Sequence, residues 1–169
     1  MRKLLFVVAA AGLLLIALAP VAVGDDDNEF RASLNGYLEV PSISTAARGS
    51  FRAELNGDTL SYRLTIRDFS EDPLFAHIHF ARPDVNGGVI AFLCGGDGKP
   101  VCPRNGTVTG TVIAANVIGP GRGITAGEFD ELIRAMRNGA TYANAIRTRT
   151  SPARSGATSP ATTEPVANY

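Results

Sequence analysis

Three stretches near the start of the chain alternate apolar with polar side chains: Phe30, Ala32 and Leu34; then Phe51, Ala53 and Leu55; then Leu60, Tyr62, Leu64 and Ile66. A period of two is what a strand shows when one face lies on a core and the other in water. Between the second and third runs, Leu55-Asn56-Gly57-Asp58-Thr59-Leu60 predicts a hairpin centred on Asn-Gly, since both residues tolerate the positive φ of a tight turn. Phe75-Ala76-His77-Ile78-His79-Phe80 reads as a fourth strand. A loop over 81–88 then leads to 89–93, which is apolar on both faces and is therefore expected to be a central strand. Residues 107–114 and 141–146 supply two more extended segments.

The period lengthens once. Phe129, Leu132, Ile133 and Met136 recur at helical spacing behind the capping box Thr125-Ala126-Gly127-Glu128, and Gly139 ends the pattern, which predicts a helix over about 125–138. Its apolar stripe is narrow and lies opposite Glu131, Arg134 and Arg137, so the helix is expected over an edge or end of a sheet. From Arg147 onward Thr, Ser, Pro, Ala and Arg dominate with no apolar period, and 147–169 is expected to be a disordered tail. At the other end, Met1-Arg2-Lys3, an apolar run over 4–19 and Ala22-Val23-Gly24 have the order of a secretory signal over 1–24, cleaved before Asp25. Left uncleaved, the same segment would act as a membrane anchor.

About 145 residues remain, enough for one domain with a real core. Frequent Gly and Pro between short apolar runs make that domain all-β with many turns. Sixteen basic and sixteen acidic side chains cancel, so neither nucleic acid nor an anionic membrane is implied as a partner. Cys94 and Cys102 are the only cysteines, separated by a turn-rich loop, and in an exported protein they are expected to form a local disulfide. A zinc site using both thiolates would need reduced sulfur and has no familiar finger spacing.

His77 and His79 are the only histidines, and in a strand both point to one face while Ala76, Ile78 and Phe80 point to the other. Three readings of the pair stand together. The rings can stiffen the strand by hydrogen bonds to the loop backbone, Asp84 or Asn86. They can form, with Arg82, Asp84 and Asn86, a binding surface for an extracellular protein or small ligand. They can hold copper or zinc, completed by Asp84, Asp72, Glu71 or water, in the manner of the histidine pair on a strand of copper-zinc superoxide dismutases. No Gly-x-Ser-x-Gly elbow, phosphate loop or dinucleotide fingerprint is present, and adjacent Glu71 and Asp72 suit a solvated turn better than a catalytic carboxylate pair.

Several short motifs now fall in order: Phe30-Arg31-Ala32-Ser33-Leu34, Glu39-Val40-Pro41 with Thr45, Gly49, Ala76-His77-Ile78-His79, Asn86-Gly87-Gly88-Val89, Gly123-Ile124-Thr125, and Gly139 to Tyr142 with Asn144. Over about residues 29–146 the chain resembles the chordin-type domain, CHRD, found in secreted bacterial proteins and, repeated, in animal chordin. The resemblance implies an immunoglobulin-like antiparallel β-sandwich or barrel with a helical excursion before its last strands. Chordin binds secreted growth factors, but bacterial members generally lack an assigned activity, so the implied role is a non-catalytic binding module of unassigned ligand, with no resident cofactor. The alternatives are a copper- or zinc-binding, superoxide-dismutase-like domain and a structural component of the cell envelope. Family members continue past Tyr-x-Asn with a His-Thr pair, a Pro-Gly-Gly-Glu turn and a closing strand, whereas this chain runs Ile146-Arg147-Thr148-Arg149-Thr150. A shifted reading frame is compatible with the difference, because codons chosen for 147–163 can spell a His and a Pro-Gly-x-Glu turn in another frame.

Overall fold

In the computed structural model, residues 25–39, 41–82, 85–119, 122–148 and 163–164 are described. The signal-like segment and most of the tail expected to be disordered lie outside them. Four strands, β1 (Glu29–Asn35), β2 (Arg48–Asn56), β3 (Thr59–Arg67) and β6 (Gly106–Val112), form an antiparallel sheet in the order β1-β2-β3-β6. The second sheet runs β5-β4-β7-β8, from β4 (Phe75–Phe80), β5 (Gly88–Cys94), β7 (Thr141–Thr148) and the short β8 (Thr163–Glu164). β7 passes the expected end of the domain by two residues, and those two, Arg147 and Thr148, are the ones that pair with β8.

Alternation decides which faces meet. Phe51, Leu60, Leu64 and Ile66 from the first sheet and Ala76, Ile78, Ile90 and Leu93 from the second are fully buried in one shared core. Burial of each large side chain of this kind contributes about 1.5–3 kcal/mol. Tyr62 ties the sheets together, donating its hydroxyl to the carbonyl of Leu93 at 2.6 Å, and burial pushes its pKa up to about 12. On the outer face of the first sheet, Arg31, Arg52 and Arg63 stand directly opposite one another on three neighbouring strands. Glu29 and Glu54 occupy the adjacent row, and Glu29 pairs with Arg31, so this surface is a solvated mixture of charges.

Three sequence expectations shift. The hairpin closes on Asn56 and Thr59 with Gly57 and Asp58 at its centre, one residue beyond the Asn-Gly centre, and of the two only Gly57 has positive φ. The helix, α1, is Phe129–Arg137 and begins four residues after Thr125. Gly127 explains the delay: at φ 88° it cannot sit in a right-handed first turn, so 125–128 is a turn in which the Glu128 carboxylate accepts the Thr125 N–H at 2.6 Å. Finally, β5 is an edge strand although both its faces are apolar. Val117 is buried beside it, and Ile118 N–H donates to Ile90 O at 2.9 Å, so an irregular segment covers the edge.

α1 buries Phe129, Leu132, Ile133, Ala135 and Met136, closing the end of the sandwich next to Leu55 and Gly57. Arg137 anchors it by donating to Asp27 O at 3.1 Å and Asn28 Oδ1 at 3.0 Å.

Cys94 and Cys102 form the expected disulfide, with Cα atoms 5.1 Å apart and both residues buried. Closing so short a loop is worth about 2–3 kcal/mol. A Cys94→Ala/Cys102→Ala double variant is expected to lose that amount in urea unfolding, and reductant is expected to weaken the parent protein but not the variant.

Candidate functional site

The register of β4 against β7 builds the site. His77 lies directly opposite Asn144 and His79 opposite Tyr142, so these four side chains share the outer face of the second sheet. On the other flank Phe92 of β5 stands opposite His77. Ala76, Ile78, Ala91, Ala143 and Ala145 occupy the inner face and are completely buried, which fixes the facing of every residue between them.

Aromatic rings pack this outer face tightly. The His77 and His79 rings stand nearly perpendicular, with centroids 4.7 Å apart and planes at 79°, and His77 meets Phe92 in the same way at 5.4 Å and 80°. Phe75 lies alongside His77 at 6.5 Å, and His79 stacks almost parallel on Tyr142 at 4.7 Å and 5°.

Gly87 clips the stacked pair from above. Its carbonyl accepts from His79 Nδ1 at 2.8 Å, and its N–H donates to the Tyr142 hydroxyl at 3.0 Å. Because a carbonyl can only accept, the His79 proton sits on Nδ1 and Nε2 carries a lone pair. The glycine is required by close approach, since a Cβ there would come within 2.5 Å of Phe80 O. The Asn-Gly-Gly motif thus has a structural reason at its middle residue.

His77 and Asn144 are 5 % and 6 % exposed, the only buried polar or charged residues among those described besides Thr141. His77 Nδ1, His79 Nε2 and Asn144 Oδ1 are all buried without a hydrogen-bond partner. Buried polar atoms are matched in the great majority of cases, so three unmatched ones on one face form a distinct constellation. Burial, followed by the nearness of His79, pushes the His77 pKa down to about 3. Burial also lowers that of His79, with the Gly87 bond opposing. Tyr142 is raised by burial first and by the charge of Glu39 to a lesser degree, against the Gly87 hydrogen bond. Both imidazoles are therefore neutral at ordinary pH.

The other candidates fall elsewhere. Arg82 and Asn86 are exposed in the loop and make no hydrogen bond to either ring; Asp84 lies outside the described residues. Asp72 pairs with Arg104 at 3.0 Å, and Glu71 is exposed. Among the described residues no three His, Cys, Asp or Glu side chains gather where a metal ion would sit. Sequence reasoning about the site missed Asn144, Tyr142 and Phe92. One signal was available: Tyr142 and Asn144 alternate with Ala143 and Ala145, the mark of a polar outer face on a strand buried on its inner one.

No curated protein and no solved structure matches the chain. The CHRD domain family matches it over residues 30–155, from β1 through β7 and over well more than half of the sequence. By that match the chain belongs to the CHRD domain family.

Proposed function

We propose that the chain is an exported, non-catalytic binding module whose ligand is engaged by the outer face of β4 and β7, around His77, His79, Tyr142 and Asn144. The observation that carries this reading is the trio of unmatched buried polar atoms in an aromatic niche. An apolar side chain in such a niche costs nothing in lost hydrogen bonds, whereas each unmatched polar group costs about 1–3 kcal/mol. A face retained at that expense is understandable as one that waits for a partner. Among the described residues neither imidazole has a hydrogen bond to a hydroxyl, thiol or carboxylate, so neither ring activates a nucleophile among them, which favours binding over catalysis. Family membership and the disulfide are consistent with an extracellular setting, and among the described residues no helix is long and apolar enough to cross a membrane.

Amide NMR of the labelled protein tests the reading. Under a panel of sugars, amines, carboxylic acids and peptides, the amides that respond are expected to lie on β4, β7 and 85–88. Asn144→Leu is expected to abolish the response without unfolding the domain. Responses confined to the first sheet, or unchanged in the variant, would overturn it.

A further inference from the structure

We propose that this same face is a binding site for one first-row transition-metal ion, copper(II) or zinc, held by His77 Nδ1, His79 Nε2 and Asn144 Oδ1; the inference rests on the binding reading above and gives its ligand a chemical class. The three atoms come from adjacent register positions, His77 and Asn144 being directly opposite across two strands and His79 one step along. Directly opposed side chains such as His77 and Asn144 have Cβ atoms about 4.5–5.5 Å apart, and the diagonal pair His79 and Asn144 is up to about 7–8 Å apart, a span that long side chains can close.

The nitrogen of His79 is prepared for that role. Gly87 O holds the proton on Nδ1 at 2.8 Å, which leaves Nε2 as a lone-pair donor and fixes the ring plane. Metal-bound histidines nearly always show this second hydrogen bond to a carbonyl or carboxylate. Stacking on Tyr142 restrains the ring further.

Ring spacing agrees. A zinc or copper nitrogen bond of about 2.0–2.1 Å puts the ion about 3.2 Å from each imidazole centre, so two rings on one ion have centres about 4.5 Å apart at a right N–metal–N angle and about 5.2 Å apart at a tetrahedral one. The observed centroid separation is 4.7 Å. Two imidazoles and an amide oxygen suit zinc or copper better than calcium or magnesium, which take oxygen ligands throughout. Among divalent ions copper binds such a set most strongly. Three protein donors are one short of the four that zinc takes, so a fourth would have to come from a water or another group entering the niche. The set contains no carboxylate, and among the described residues no third His, Cys, Asp or Glu side chain joins the two imidazoles.

The test uses the full exported chain stripped with a chelator, titrated with copper(II) chloride and with zinc chloride. One equivalent is expected to bind and to raise the melting temperature, with zinc shifting the ¹⁵N signals of His77 Nδ1 and His79 Nε2 together. His79→Phe, which keeps a ring on Tyr142, is expected to weaken binding at least about 100-fold, and Asn144→Leu about 10-fold. Melting of the metal-free variants reports separately on folding. Stoichiometric binding that survives both substitutions would place the ion elsewhere and overturn the proposal. No binding of either ion would also overturn it, leaving the trio to a water or another hydrogen-bond donor. In that event the NMR screen above decides the binding reading on its own.

Discussion

Metal-free protein is expected to lose stability steadily as the pH falls from about 6.5 toward 3, and His77→Phe is expected to remove most of that slope. The imidazole of His77 is buried beside His79, Phe75, Phe92 and Asn144, and its pKa is pushed down to about 3, first by burial and then by its neighbour. In the unfolded chain the same ring titrates near 6.5. Between those two values the unfolded state binds the proton and the folded state does not, so unfolding free energy rises with pH across the window. The contribution is complete above about 6.5 and is lost as pH falls through the window toward the folded pKa. A depression of this size corresponds to an upper limit of about 5 kcal/mol. That is a large share of the 5–15 kcal/mol by which domains are typically stable.

His79 acts in the same direction, with the Gly87 bond opposing, so some slope remains in the variant. Tyr142, the titratable group stacked on His79, is shifted upward and stays neutral throughout the window. At pH 7 the same variant is expected to be at least as stable as the parent, because phenylalanine brings no unmatched nitrogen into the niche. Urea midpoints at several pH values between 7 and 4, with chelator present, check both statements. Parallel pH profiles for parent and variant would show that His77 is not held neutral by the fold.

The strands around the core were legible because their signal is local. Phe51, Leu64 and Ile66 alternate in sequence and are buried as that alternation predicts, and the facing of His77 and His79 followed from the same rule. What escaped depended on contacts between distant segments. β5 is apolar on both faces, yet an irregular stretch near Val117 does the covering that a neighbouring strand would have done. The helix start was misplaced because Thr125 and Glu128 do form their local bond, while the positive φ of Gly127 leaves no trace in a capping pattern. Asn144 lies far from His77 in sequence and joins it only through the β4–β7 register. The loop residues next to the histidines in sequence therefore looked more promising than the cross-strand partner.

Gly95→Ala is expected to be among the most damaging single-methyl additions in the domain, costing about 3 kcal/mol or more, whereas Gly98→Ala in the same loop should cost about 1 kcal/mol. Both glycines have positive φ, 81° and 70°, so the conformational penalty of a side chain is similar at the two sites. Their surroundings differ. A Cβ on Gly98 meets nothing within 4 Å, but on Gly95 it would lie 1.9 Å from the carbonyl oxygen of Leu74 and 3.1 Å from the Cα of Phe75. Neither chain can easily retreat. Leu74 N–H donates to Ile146 O at 2.7 Å, Gly95 N–H donates to Pro100 O at 2.8 Å, and Cys94 is fastened by its disulfide. Relief must come from parting β4 and β5 where β4 begins, two residues before His77. The difference in urea midpoint between the two variants isolates the steric part from the conformational part. Equal destabilisation would mean that the strands do not approach so closely. If the difference appears, the Gly95 variant should also perturb the Phe92 and His77 amides, because the closeness of the two backbones at Gly95 sets how β5 presents its aromatic ring to the imidazole face.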